Sequence, residues 1–139
     1  AGDVIVLDGG TGTELERRGV PMSPEAWCGP ATLGNAELLT QIHLDYINAG
    51  SDVITANTYA ANSMMLTPAG YGDKIEEIVK TAVDAALRAR DLAPEGRNIV
   101  VGGSLSPWFP STQVPIPSTL YELLHPLKLQ SLFISWLNC

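Results

Sequence analysis

A chain of 139 residues is long enough for one domain with a buried core, and its 45% apolar and 17% charged residues describe a soluble globular composition. The formal net charge of −7 argues against nucleic acid or an anionic membrane surface as the main partner. No apolar run approaches the roughly 20 residues that span a bilayer, no leader pattern opens the sequence, and Cys28 and Cys139 make no disulfide framework, so a cytoplasmic protein is expected.

Residues 4–8 read as a buried strand, short and β-branched, closed by Gly9 and Gly10. Residues 13–18 form a short helical piece ending at Gly19. Residues 20–33 are rich in Pro and Gly and read as a loop holding Trp27. Asn35 stands where a helix can be capped, and that helix runs to Asn48 with Gly50 as its stop. Leu38, Leu39, Ile42, Tyr46 and Ile47 make its apolar face. Gln41, Asp45 and Asn48 lie toward water, and His43, among polar neighbours, is expected on the surface. Residues 52–57 are the second strand.

Residues 62–66 suit a short helical turn, after which Pro68, Gly70 and Gly72 break the pattern. Asp73 and Glu76 have capping-box spacing. They open an amphipathic helix in which Ile75, Ile78, Val79, Ala82, Val83, Ala86 and Leu87 recur at helical spacing. Arg88 and Arg90 lie in its last turns, where the macrodipole favours cations. Residues 98–103 are the third strand. The β-α-β-α-β order implies a parallel sheet, with Asp8-Gly9-Gly10, Asn57-Thr58 and Gly103-Ser104 on one edge, where α/β proteins bind ligands. After Ser104 the pattern changes. Only Glu122 and Lys128 are charged, half the prolines fall between Pro107 and Pro126, and no fourth β-α unit follows. The chain therefore divides into a regular part, 1–107, and a divergent Pro/Leu-rich tail, 108–139.

Asp8, at a strand end before a Gly-rich turn, suits an ammonium partner, a metal ligand or a base; it equally suits a turn aspartate accepting backbone N–H bonds. Gly9, Gly10 and Gly12 can cradle an anion or simply make a tight turn. They match neither G-x-G-x-x-G nor a P-loop. Asn57 and Thr58 can hydrogen-bond a substrate or cap the turn that follows. Trp27 can wall a pocket or pack. Cys28 reads as a buried thiol, Met64 and Met65 as packing, and His125 carries no signal. No His, Cys or acidic residues show metal-ligand spacing.

Residues 7–15 (Leu-Asp-Gly-Gly-Thr-Gly-Thr-Glu-Leu), Trp27, Glu37-Leu38-Leu39, His43, Tyr46, residues 49–54 (Ala-Gly-Ser-Asp-Val-Ile) and Asn57-Thr58-Tyr59 resemble, in order and spacing, the N-terminal part of the homocysteine S-methyltransferase family. The resemblance runs from Val4 to Pro107. It implies the N-terminal part of a (β/α)8 TIM barrel, about three β-α units followed by an irregular tail. It also implies zinc held by cysteine thiolates from later strands, and transfer of a methyl group from a small donor to the homocysteine thiol, giving methionine. By this resemblance Asp8, Gly9 and Gly10 hold the amino-acid end of homocysteine, and Trp27, Asn57 and Thr58 line the same pocket.

The family's paired-cysteine zinc motif is absent from this sequence. Asn138-Cys139 resembles the Asn-Cys of the family's first zinc ligand, but too early and without partners. The expectation is a truncated member, inactive alone, with open sheet edges that favour self-association. Two other readings stand beside it. One is the phosphate loop of actin-like sugar kinases, which needs a β-hairpin straight after the glycines. The other is a fragment that binds a partner or small amino acid without turnover.

Overall fold

Two parallel strands form the centre of the fold in the computed structural model, which describes residues 4–105. β1 (Val53–Ala56) pairs with β2 (Val100–Gly103), with Val53 opposite Val100 and Ala56 opposite Gly103. Ahead of β1 come α1 (Thr11–Arg17) and α2 (Ala36–Ala49). Between the strands run α3 (Ser63–Leu66) and α4 (Ile75–Asp91). A parallel pair needs such a crossover, and α4 supplies it. The tail 108–139, with His125 and Cys139, lies outside the described residues.

Residues 4–8 run parallel beside β1, but they form one isolated bridge, Leu7 with Val53, rather than a full strand. Asp52 N–H donates to Val6 O at 2.8 Å and Asp8 N–H to Val53 O at 2.9 Å. The expectation of a buried strand fails here: Val4 is 83% and Ile5 67% exposed. Their apolar character calls for cover on both faces, and among the described residues nothing covers this edge. The α/β class stands, with three parallel segments in the order 4–8, β1, β2.

Alternation along β1 decides which face is packed. Ile54 and Ala56 are buried against Ile47 of α2, Ala86 and Ala89 of α4, and Ile99. Val53 and Thr55 occupy the other face. A second cluster joins the helices: Leu15, Leu39, Ile42, Leu66, Ile78 and Ala82 are all fully buried. Each large aliphatic side chain so buried stabilises the fold by about 1.5–3 kcal/mol. On α4 the buried Ala82, Ala85, Ala86 and Ala89 let the helix approach its neighbours closely.

The ends of the helices depart from the sequence reading in instructive ways. α1 begins at Thr11, straight out of the glycine turn. Asn35 occupies the N-cap position of α2, yet its side chain turns back and donates Nδ2–H to Ala31 O at 2.8 Å. Asp73 and Glu76 form no capping box, because a 3-10 turn, Gly72–Lys74, absorbs Asp73 and leads into α4. Asn62 does cap α3, accepting from Met65 N–H at 3.1 Å, and Gly50 ends α2 with φ +115°. No described helix is long and apolar enough to cross a membrane.

His43 is a further correction. It is fully buried, and neither ring nitrogen has a hydrogen-bond partner among the described residues. α2 is packed by α1, α4 and β1 together, so its buried surface is wider than the apolar stripe suggested. Burial lowers the pKa of this imidazole to about 4.

Candidate functional site

Asp8 leaves the N-terminal segment at the carboxyl edge of the sheet, and β1 captures its side chain. Thr55 N–H donates to Oδ2 at 2.7 Å, and Thr55 Oγ1 donates to Oδ1 at 3.0 Å. The carboxyl is partly buried. That burial raises its pKa above the ordinary value, while the two Thr55 bonds work against the rise. An ionised carboxylate has about four acceptor sites. Thr55 occupies two, so the group can serve both as a cross-strand tie and as a partner for a cation.

Packing from behind explains two of the three glycines. A Cβ on Gly9 would stand 2.9 Å from Tyr46 Oη, and that hydroxyl donates to Gly10 O at 3.4 Å. A Cβ on Gly12 would stand 2.8 Å from Cys28 Sγ and 2.9 Å from Trp27 Cη2. Gly10, at φ −70°, is the N-cap of α1, whose first N–H groups have no partner within the helix. Behind the turn, Arg18 joins α1 to α2 by contacting Glu14 and Asp45, each at 2.7 Å. The Arg17 and Arg18 guanidiniums hold the Glu14 carboxyl well below the usual range.

The loop that carries Trp27 is locked at several points. Ser23 and Trp27 exchange backbone hydrogen bonds at 2.9 and 2.8 Å, and Ser23 Oγ accepts from Ala26 N–H at 3.1 Å. Trp27 adopts φ +44°, the one non-glycine positive φ among the described residues. For a bulky side chain this costs about 1–2 kcal/mol and requires surrounding structure to impose it. Its half-buried ring packs on the core beside Gly12.

Asn57, at the end of β1, is buried and donates Nδ2–H to Cys28 O at 3.1 Å and to Thr32 Oγ1 at 3.0 Å. Its Oδ1 accepts from Cys28 Sγ at 3.2 Å. Burial pushes the Cys28 thiol up to about 11, so it stays protonated. Thr58 Oγ1 donates to Ser104 O and accepts from Ser104 N–H, both at 2.8 Å, which ties the ends of β1 and β2 together.

The structure thus gathers Asp8 and the glycine turn around Thr55, and it gathers Trp27, Cys28 and Asn57 behind Gly12. Thr58 joins the neighbouring strand end instead. Thr55 was not singled out from the sequence; Tyr46 was read only as part of an apolar face and a family motif, and Ser104 only as part of a strand end. Thr55 carried one usable signal, a hydroxyl two residues before Asn57 on the strand face opposite the core.

Metal chemistry finds no footing among the described residues. No group of three or more His, Cys, Asp or Glu can hold an ion there. Cys28 is a buried thiol engaged by Asn57, and His43 lies in the helical core. The set does not fit zinc.

A parallel α/β edge with a carboxylate, a glycine turn and a helix start is the kind of place where α/β folds bind small ligands. A sequence model of homocysteine S-methyltransferase matches residues 5–126, and the chain belongs to that family. It is 33% identical over 116 residues to homocysteine S-methyltransferase of Escherichia coli (strain K12), covering 76% of this chain and 36% of that protein. It is 36% identical over 93 residues to selenocysteine methyltransferase of Astragalus bisulcatus, covering 66% of this chain and 28% of that one. The crystal structure of the homocysteine methyltransferase MmuM from Escherichia coli, in its metallated form, superposes with a TM-score of 0.69 at 28% identity. That match covers 77% of this chain and 39% of MmuM. The chain therefore spans about a third of the length of the relatives it matches. A helix follows the glycine turn directly, where a sugar-kinase phosphate loop needs a hairpin.

Proposed function

We propose that this chain supplies the amino-acid end of a homocysteine pocket, in an enzyme that moves a methyl group from a small donor to the homocysteine thiol and so forms methionine. The observation that carries this reading is the Asp8 carboxylate, half-buried at the sheet edge with acceptor capacity beyond its two Thr55 bonds. Asp8 pairs with the substrate ammonium. Gly9 and Gly10, leading into α1, receive the substrate carboxylate at the backbone of the turn, where the first N–H groups of α1 have no partner within the helix. Trp27 and Thr58 border the pocket, and Asn57 holds the Trp27 loop in place through Cys28 and Thr32.

Three parallel segments with open edges suit the first part of a (β/α)8 barrel. Zinc, which the family resemblance implies, has no ligand set among the described residues. That same lack of a thiolate favours a second reading for this stretch taken alone, binding without turnover. A cytoplasmic setting is part of the proposal and is supported by the free Cys28.

Calorimetric titration with L-homocysteine tests the assignment. Asp8→Asn removes the charge while keeping the shape, and affinity should fall by about tenfold or more, the weight of one charge-assisted pair. Equal affinity in the variant would exclude Asp8 as the ammonium partner.

A further inference from the structure

The homocysteine reading leaves open what holds Asp8 ready for a ligand. Thr55 makes two hydrogen bonds to that carboxylate, one from its amide and one from its hydroxyl. Two donors from one residue fix the plane of the carboxylate as well as its position. Thr55 lies on the face of β1 away from the helices, since Ile54 and Ala56 take the packed face. Its register partner on β2 is Gly102, and partners in a parallel pair share a face.

Gly102 has no local reason to be glycine. It is not among the residues at positive φ, and among the described residues the nearest neighbour of an added Cβ would be Ile54 O, at 3.9 Å. β-branched residues suit strands better than glycine does. Among the described residues, glycine here leaves an empty place beside Thr55.

We propose that Thr55 is a positioning residue that fixes the Asp8 carboxylate, and that Gly102 keeps the adjacent place open for the amino end of the ligand. The inference rests on the homocysteine reading and gives roles in it to two further residues. Thr55 aims the free lone pairs of Asp8, and Gly102 sets how much bulk fits beside them.

The test uses the 139-residue chain with L-homocysteine as probe. Thr55→Val keeps the amide bond and the shape but loses the hydroxyl bond. Affinity should fall about tenfold, and Thr55→Ser should recover it to within about threefold. A role in packing alone, without a bond to the carboxylate, would not move the titration of Asp8. In ligand-free Thr55→Val, carbon NMR should show the Asp8 carboxyl protonating at higher pH than in the parent, because a bond to its ionised form is gone. Gly102→Val should leave the melting temperature unlowered and still weaken homocysteine binding about tenfold or more. Unaltered affinity and an unmoved Asp8 midpoint in Thr55→Val would overturn the role of Thr55. Unaltered affinity in Gly102→Val would overturn that of Gly102. If the parent chain takes up no homocysteine, the homocysteine reading itself falls, and the Asp8 midpoint alone then decides whether Thr55 governs this carboxylate.

Discussion

Asn57 holds three polar groups that would otherwise be stranded: the Cys28 thiol, the Cys28 carbonyl and the Thr32 hydroxyl. Asn57→Ala should therefore cost about 2–4 kcal/mol in urea unfolding, since buried groups left unpaired carry their full desolvation penalty. A loss below about 0.5 kcal/mol would mean the network is dispensable. His43 makes a pH-dependent contribution. Unfolded, it takes up a proton near 6.5; folded, only near 4. Between those values the unfolded chain binds more protons. The contribution is whole above the unfolded value and is lost as pH falls toward the folded one. It amounts to about 3 kcal/mol. His43→Leu should flatten that part of the stability profile between pH 7 and 4.5, and parallel profiles for parent and variant would refute the assignment.

At the scale of elements, close approach sets the tolerances. Gly12 sits against Cys28 and Trp27, and Ala82 sits fully buried on α4. Gly12→Ala and Ala82→Leu should each cost about 1–3 kcal/mol by overpacking. Lys80→Ala, on the exposed side of α4, should stay within about 0.5 kcal/mol. Thermal melts of the three variants separate these cases.

Much of this layer was legible in the sequence. Hydrophobic periodicity placed α2, α4, β1 and β2, and Gly50 and Asn62 marked an end and a beginning as expected. The illegible parts depend on partners distant in the chain. A capping box at Asp73 and Glu76 is a local pattern, but the chain spent Asp73 in a 3-10 turn. His43 looked exposed because its sequence neighbours are polar, yet it is fully buried on a helix that three other elements pack against. Thr55 could not be paired with Asp8 before the register of residues 4–8 against β1 was known.

For the molecule as a whole, the unsatisfied edge matters most. Val4, Ile5, Val6 and Leu7 stay exposed along the outer segment, as does Val100 on β2. Open apolar edges pair with other chains. The 139-residue chain in isolation should therefore show concentration-dependent association in sedimentation velocity, reduced by Ile5→Lys; a monomer at all concentrations would show the edge is covered. The central claim is narrower: homocysteine is held by its amino-acid end at Asp8 and the glycine turn. Amide NMR of the chain titrated with L-homocysteine tests it most directly. The amides of Asp8, Gly9, Gly10 and Thr55 should shift together and saturably. No shifts, or shifts confined to residues remote from the carboxyl edge of β1, would contradict it.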